Sequence, residues 1–179
     1  MRQAHRHAQR GLGPLAAVLG LAALGAIGAA QAQAVDTTPP ALADLGLGPA
    51  GPVDPLACGA TAVWLRQILS TQPEDNQNAA TLTHGASRLL FQMIWITATE
   101  ENACRGRLSD VTEPIFARVR AQRPELASLR DGGMSGDDIT IGFMTHYVAC
   151  RDAFGTARLE TLWAEMQASE HGLPCGWQN

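Results

Sequence analysis

Apolar side chains recur three to four positions apart in five stretches of the chain, which is the spacing of one helix face. The first stretch covers 54–70 and opens with Asp54 followed by Pro55, a pair suited to a helix start. At that place a carboxylate accepts from free backbone N–H groups, and a proline needs no donor. The pattern therefore predicts a helix that begins at this pair.

The second stretch runs from Asp75 or Asn76 to about Glu101 and is apolar on nearly every side over 89–96. Such a run is typical of a helix buried in the centre of a bundle, or of a buried strand. Good helix formers flank the run on both sides. They favour the helix over the strand.

Capping residues place three further helices. Thr112 is expected to start the third helix and Pro124 to interrupt it, because an internal proline lacks the N–H donor and clashes with the preceding turn. Ser135 is expected to cap the fourth helix, which ends at Gly155, and the fifth then closes at Gly172. No stretch shows the strict alternation of an exposed-face strand.

The segment 35–53, called the lead below, contains four prolines and several glycines. That composition predicts an irregular segment lying over the surface rather than a first helix. The remainder, 54–179, shows no linker and no internal repeat. We therefore predict an all-α fold: a compact bundle of about five helices in a single domain, held by two disulfides and preceded by the irregular lead.

The first 34 residues have the pattern of a secretory signal peptide. Arginines at positions 2, 6 and 10 precede an apolar segment over 12–30, and two overlapping Ala-x-Ala sites follow it. Cleavage is expected after Ala32 or Ala34, which predicts a periplasmic or secreted protein exported by the general route. The alternative is an uncleaved membrane anchor, which the glycines within the apolar segment make less favourable.

The charge balance bears on the choice of partner. The first 34 residues hold three arginines and no acid, which leaves ten basic and 17 acidic side chains, a net charge of about −7, in the rest. A negative domain repels phosphate backbones, so no nucleic-acid partner is expected. Beyond the N-terminal segment no apolar run is long enough to span a bilayer, so no stable membrane span is expected after processing.

Four cysteines, Cys58, Cys104, Cys150 and Cys175, follow the N-terminal segment. An even set in an exported chain predicts two disulfides, and spacings of 46, 46 and 25 residues exclude the close pairs of redox and zinc motifs. Three connectivities are possible. Cys58 with Cys104 and Cys150 with Cys175 is favoured, because the start of the first helix and the end of the second meet at one end of an alternating bundle.

A metal site is one candidate for the chemistry of this chain. His146 lies four residues before Cys150 on one helix face, and Met144 is close to both, so copper or zinc could be considered. A disulfide sulfur is a poor ligand, however, and His84 and His171 stand alone. We expect no metal and no cofactor, with His146 as a partly exposed helix residue.

Acidic pairs are the other candidate for the chemistry of this chain. Glu100 and Glu101 are adjacent, as are Asp137 and Asp138, and neighbouring residues on a helix do not face each other. The aspartates fall in a first turn, where the helix dipole stabilises negative charge. A hydrolase would use Glu100, Glu101 or Glu113 as its acid. No nucleophile elbow, phosphate loop or zinc-protease motif occurs, so no catalytic residue is assigned.

Aromatic side chains are expected to serve packing. Trp64, Trp95 and Trp163 each fall on an apolar stripe of a different helix. Trp177 is expected to lie on the surface as a flap anchored by Cys175. Three methionines, Met93, Met144 and Met166, are expected to fill core gaps, the alternative being an adaptable binding groove.

The export signal, the helical domain held by disulfides and the lack of a catalytic motif favour a non-enzymatic periplasmic protein that binds another protein. Inhibitors or immunity proteins, assembly factors and chaperone-like adaptors belong to this class. The alternatives are a small periplasmic hydrolase acting on cell-wall material and a metal-handling protein that uses His146.

Overall fold

The chain is described by a computed structural model over residues 39–73, 76–169 and 171–177. The described residues all belong to the compact unit Val35–Asn179. The signal peptide and its cleavage site lie outside the described residues and stay predictions. Within the described ranges there is no helix long and apolar enough to cross a membrane.

The described part of Val35–Asn179 is all-helical, which confirms the predicted fold class. Its six α-helices are α1 (Pro40–Ala43), α2 (Pro55–Leu69), α3 (Gln77–Ile96), α4 (Leu108–Asp131), α5 (Gly136–Phe154) and α6 (Thr156–Ala168). A π-helical turn, Thr97–Glu101, continues α3, and a 3-10 turn, Pro174–Gly176, lies near the C-terminus. The buried run in α3 is thus a helix and not a strand.

Side-chain caps start three of the long helices where the sequence predicted. Asp54, Asn76 and Ser135 each accept a hydrogen bond from the backbone N–H three residues further on, at 2.8, 3.1 and 3.0 Å. Gly155 ends α5 with a positive φ of 78°. Local sequence is sufficient here, because a cap acts within a single turn.

The predicted limits of α4 and α6 are wrong. α4 starts at Leu108, where the Asp110 carboxylate accepts from the N–H of Arg107 at 2.8 Å, and it continues through Pro124 to Asp131. Its buried stripe packs against the rest of the bundle: Val111, Ile115, Val119, Gln122 and Leu126. This burial offsets the lost hydrogen bonds of the prolines. α6 ends at Ala168, four residues before Gly172.

The prediction that the lead lies over the surface is also wrong. Leu42 in α1 is 0% exposed and Leu47 is 2% exposed, and both belong to the core. The Leu42 side chain fills the space beside Gly142 of α5. Further on, the Leu45 carbonyl accepts from the Gln122 side chain of α4 at 3.4 Å. The lead also contains the short helix α1, which its composition did not predict. It is irregular after α1, as predicted, and its leucines complete the core.

Two disulfides form, as predicted, but the favoured connectivity is wrong. Cys58 pairs with Cys150, and Cys104 pairs with Cys175. Cys58 lies in the first turn of α2 and Cys150 just before the last turn of α5, and the packing of α2 against α5 brings these ends together. Cys104 lies beyond the end of α3, in a turn that is bonded to the 3-10 turn carrying Cys175.

Gly51 lies very close to neighbouring atoms, so a substitution at this residue tests how the lead packs against the helices. A Cβ at this residue would lie 2.2 Å from the Gly46 carbonyl oxygen and 2.7 Å from Cδ2 of His146. Gly51→Ala should therefore lower the free energy of unfolding by about 2 kcal/mol, because backbone must move. Gly136→Ala, where nothing lies within 4 Å of a new Cβ, is the control. Denaturant unfolding measures both, and equal stabilities would contradict this docking.

Candidate functional site

An open groove of about 550 Å³ lies between α2, α4 and the start of α5. Its floor is apolar and consists of Trp64, Ile68, Leu126, Ile139 and Phe143. Its rim is polar and includes Gln67, Arg123, Arg130, Asp137 and Thr140. Such a concave apolar surface with a few polar groups at its edge is the usual form of a binding site.

Trp64 is the aromatic residue that this groove presents, and it is held by two neighbours. Its ring centroid lies 5.8 Å from that of Phe143 at a tilt of 31°. Its indole N–H donates to the Gln122 side-chain oxygen at 3.0 Å, and Gln122 in turn donates to the Leu45 carbonyl of the lead. The indole stays partly exposed although its orientation is fixed, so the groove is preorganised.

The charge of the rim differs from that of the whole chain. Arg123 and Arg130 are exposed, and neither takes part in an ion pair within the described ranges, whereas Asp137 is the one carboxylate among the lining residues. The groove therefore has a local positive charge on a chain of formal net charge −4. Their spacing of seven residues already places both arginines on one face of α4, but the gap between the helices is a tertiary feature.

His146 is buried, so the prediction of a partly exposed residue is wrong. It is 1% exposed. One ring nitrogen, Nε2, lies 2.9 Å from the Pro52 carbonyl, and the other, Nδ1, lies 2.7 Å from the Thr61 hydroxyl. A carbonyl only accepts, so Nε2 carries the proton and the neutral ring accepts from Thr61 at Nδ1. The ring thereby ties the lead to α2 and α5.

Burial lowers the pKa of His146 below its usual 6.5, since the charged ring would lose water. The Pro52 carbonyl and the nearby Asp54 act on this pKa in the opposite direction, and Arg118 adds to the lowering. The neutral form is therefore the one that the fold stabilises.

The residues of the metal hypothesis do not form a ligand set. Both nitrogens of His146 are occupied by hydrogen bonds, and Cys150 is bonded to Cys58. His84 and His171 are exposed on other elements. No group of three or more His, Cys, Asp or Glu side chains within the described ranges has the arrangement of a metal site.

The acids of the hydrolase hypothesis do not lie in the groove. Glu100 pairs with Arg158, Glu113 pairs with Arg120, and Glu101 is exposed at the end of the π-helical turn. The two aspartates lie in the first turn of α5 as predicted. There the Ser135 hydroxyl donates to the Asp138 carboxylate at 2.7 Å, which is a capping arrangement.

The remaining tryptophans and the three methionines of the sequence analysis serve packing. Met93 and Met166 are buried, while Met144, Trp95 and Trp163 are partly buried. Trp177 packs half-buried against the core, so the prediction of a surface flap is wrong. Its neighbour Cys175 is held by Cys104, which places the tail against the body.

The fold and the two bridges define a class, the disulfide-bonded all-α domains. No family model, curated protein or solved structure matches this chain.

Proposed function

We propose that this is an exported, non-enzymatic protein that binds another protein through the groove between α2, α4 and α5. The observation that carries the proposal is the partly exposed Trp64, fixed by Phe143 and Gln122 on an apolar floor beside Arg123 and Arg130. Tryptophan and arginine are among the residues most enriched at the energetic centres of protein interfaces.

The groove supports a partner with matching chemistry. Its floor fits apolar side chains, and its two arginines fit a carboxylate beside them. An amphipathic helix that presents an apolar face and an acidic edge has this arrangement, and it is a common way for peptides to enter a helical groove. Such a contact would serve an inhibitor or immunity protein, an assembly factor or a chaperone-like adaptor.

Export is supported by two independent features. The N-terminal segment combines arginines, an apolar run and Ala-x-Ala sites. All four cysteines lie beyond that segment and form two bridges, which persist in oxidising compartments such as the periplasm. We accordingly propose a periplasmic or secreted location.

The hydrolase alternative has less support. Hydrolysis of glycosidic bonds ordinarily uses a pair of carboxylates across the bond. Asp137 is the one carboxylate among the residues that line the groove. Glu100 and Glu113 form ion pairs with arginines outside the groove.

A photo-crosslinking residue placed in the groove tests, in the cells that export the protein, whether a partner protein binds there. Gln67 is an exposed glutamine that lines the groove, whereas Gln77 is an exposed glutamine at the start of α3 outside it, so the two positions are matched. We expect one discrete protein adduct from position 67 and none from position 77. Equal yields from both positions, or none from either, would contradict partner binding here.

A charge reversal tests the role of the rim. Arg123→Glu should weaken binding of the crosslinked partner at least about tenfold, because the arginine would no longer meet a carboxylate. Its effect on stability should stay within about 0.5 kcal/mol, as for most surface substitutions. Arg120→Glu, at an exposed arginine outside the groove, is the control and should leave binding unchanged. Titration with the purified partner measures both affinities.

A further inference from the structure

A second, smaller pocket lies between α3, α5 and α6, away from the groove. It has a volume of about 90 Å³, and its lining includes Gly85, Arg88, Tyr147, Arg151 and Glu160. A water molecule occupies about 30 Å³ in the liquid, so the pocket has room for a group of a few heavy atoms. Two guanidinium groups and a phenol in so small a volume make it a polar pocket with an excess of donors.

Tyr147 is the residue that indicates a specific binding site in this pocket. The residue is 6% exposed, and its hydroxyl, which is not sealed from solvent, makes no hydrogen bond to any residue that the structure describes. The hydroxyl lies 2.8 Å from the place where a Cβ of residue 85 would be. Glycine inside a helix is destabilising relative to alanine, and here it makes room for the phenol. A hydroxyl that opens onto a pocket and has no protein partner is free to donate to a ligand acceptor.

Both arginines are held in place by their surroundings. Arg88 donates to Glu160 at 2.7 Å, and its guanidinium carbon lies 4.9 Å from the ring centroid of Trp163. Arg151 lies over the Tyr147 ring at 5.8 Å and belongs to no ion pair within the described ranges. Its planar group thus keeps donors available next to the hydroxyl.

The charges of the pocket select its ligand. Two guanidinium groups and the Glu160 carboxylate leave an excess of one positive charge, which matches a single negative charge. A carboxylate is planar and can accept two parallel N–H bonds from an arginine. We propose that this pocket binds the carboxylate of a small organic acid, with Arg151 and Tyr147 as the direct donors.

Arg88 and Glu160 form an ion pair with each other in this site. The pair neutralises most of its own charge, so a ligand need not displace Glu160 in order to bind. The pocket has no lining residue in common with the groove, so it stands independently of the proposed protein partner.

An NMR titration of the folded, oxidised protein with sodium acetate tests this site, with sodium chloride at equal ionic strength as the reference. We expect saturable shifts of the Gly85 and Tyr147 amides with acetate alone. Tyr147→Phe keeps the ring under Arg151 and removes only the hydroxyl, so it should weaken acetate binding about tenfold or more. Arg151→Gln should abolish saturation.

Arg120→Gln, the same change at an arginine outside the pocket, should leave the acetate titration unaltered. Melting temperatures of the variants establish that each is folded. Shifts that follow ionic strength alone, or a Tyr147→Phe protein that binds acetate like the parent, would overturn the site. Inorganic phosphate that saturates at lower concentration than acetate would overturn the assignment to a carboxylate.

Discussion

A mild thiol reductant added to the folded protein is expected to open the Cys104–Cys175 bridge first and leave Cys58–Cys150 closed. Thiol–disulfide exchange requires that a thiolate reach a sulfur atom. Cys104 lies in an exposed turn and Cys175 is partly buried, whereas Cys58 and Cys150 are both 0% exposed. Reduction of the inner bridge, Cys58–Cys150, should therefore require unfolding of the helical bundle.

Alkylation at timed intervals followed by peptide mass spectrometry measures the order of cleavage. In denaturant the two bridges should be reduced at similar rates, because the difference comes from the fold. Simultaneous cleavage in the native protein, or earlier loss of Cys58–Cys150, would show that the inner bridge is more accessible than its burial indicates.

Removal of the bridges by substitution should have the largest effect on stability. The bridges join residues separated by 92 and 71 positions, and closing loops of that size in the unfolded chain is worth about 4.5 kcal/mol each in the chain-entropy model. A typical domain has a total stability of ~5–15 kcal/mol. Cys58→Ala with Cys150→Ala should cost more than Cys104→Ala with Cys175→Ala, because it also leaves a cavity in the core. Denaturant unfolding of the two double variants measures the difference, and equal losses would contradict it.

Acidification is expected to destabilise the protein through His146. Its pKa is lowered in the fold, so near pH 6.5 the unfolded chain binds a proton that the folded chain does not. The stabilisation is complete above pH 6.5. It is lost progressively as the pH falls from 6.5 toward the lowered pKa, and below that pKa the loss stops.

His146→Gln isolates this contribution. A glutamine amide can donate to the Pro52 carbonyl and accept from Thr61, but it does not titrate. The difference in melting temperature between the parent and this variant should depend on pH between about 5 and 7. A parent and a His146→Gln variant with parallel pH profiles would disprove the role of His146.

His146→Ala should be the more damaging change at this position. It leaves the buried Thr61 hydroxyl without this partner, removes the bond to the Pro52 carbonyl and creates a cavity, at a cost of about 3 kcal/mol in unfolding free energy. The lead should become accessible to protease at the same time, since the ring ties Pro52 to the body. A stable variant with a protected lead would mean that Leu42 and Leu47 hold the lead by themselves.

The sequence by itself determined the features that local chemistry controls. The starts of α2, α3 and α5 follow from caps that act over three residues, and the helical apolar periodicity determines the all-α class. The even cysteine count in a chain with the pattern of an export signal was enough to predict two bridges. Each of these inferences uses residues within one element or a simple count.

Only the tertiary structure decided the features that join distant parts of the chain. His146 meets Pro52 across 94 positions, Trp64 meets Gln122 across 58, and the bridges span 92 and 71. Residue types do not say which helix faces meet, so the burial of His146 and the choice of cysteine partners could not be predicted. Packing also outweighed local propensity in α4, where a buried stripe carries the helix through Pro124. The groove exists for the same reason, since it is a gap left between three packed helices.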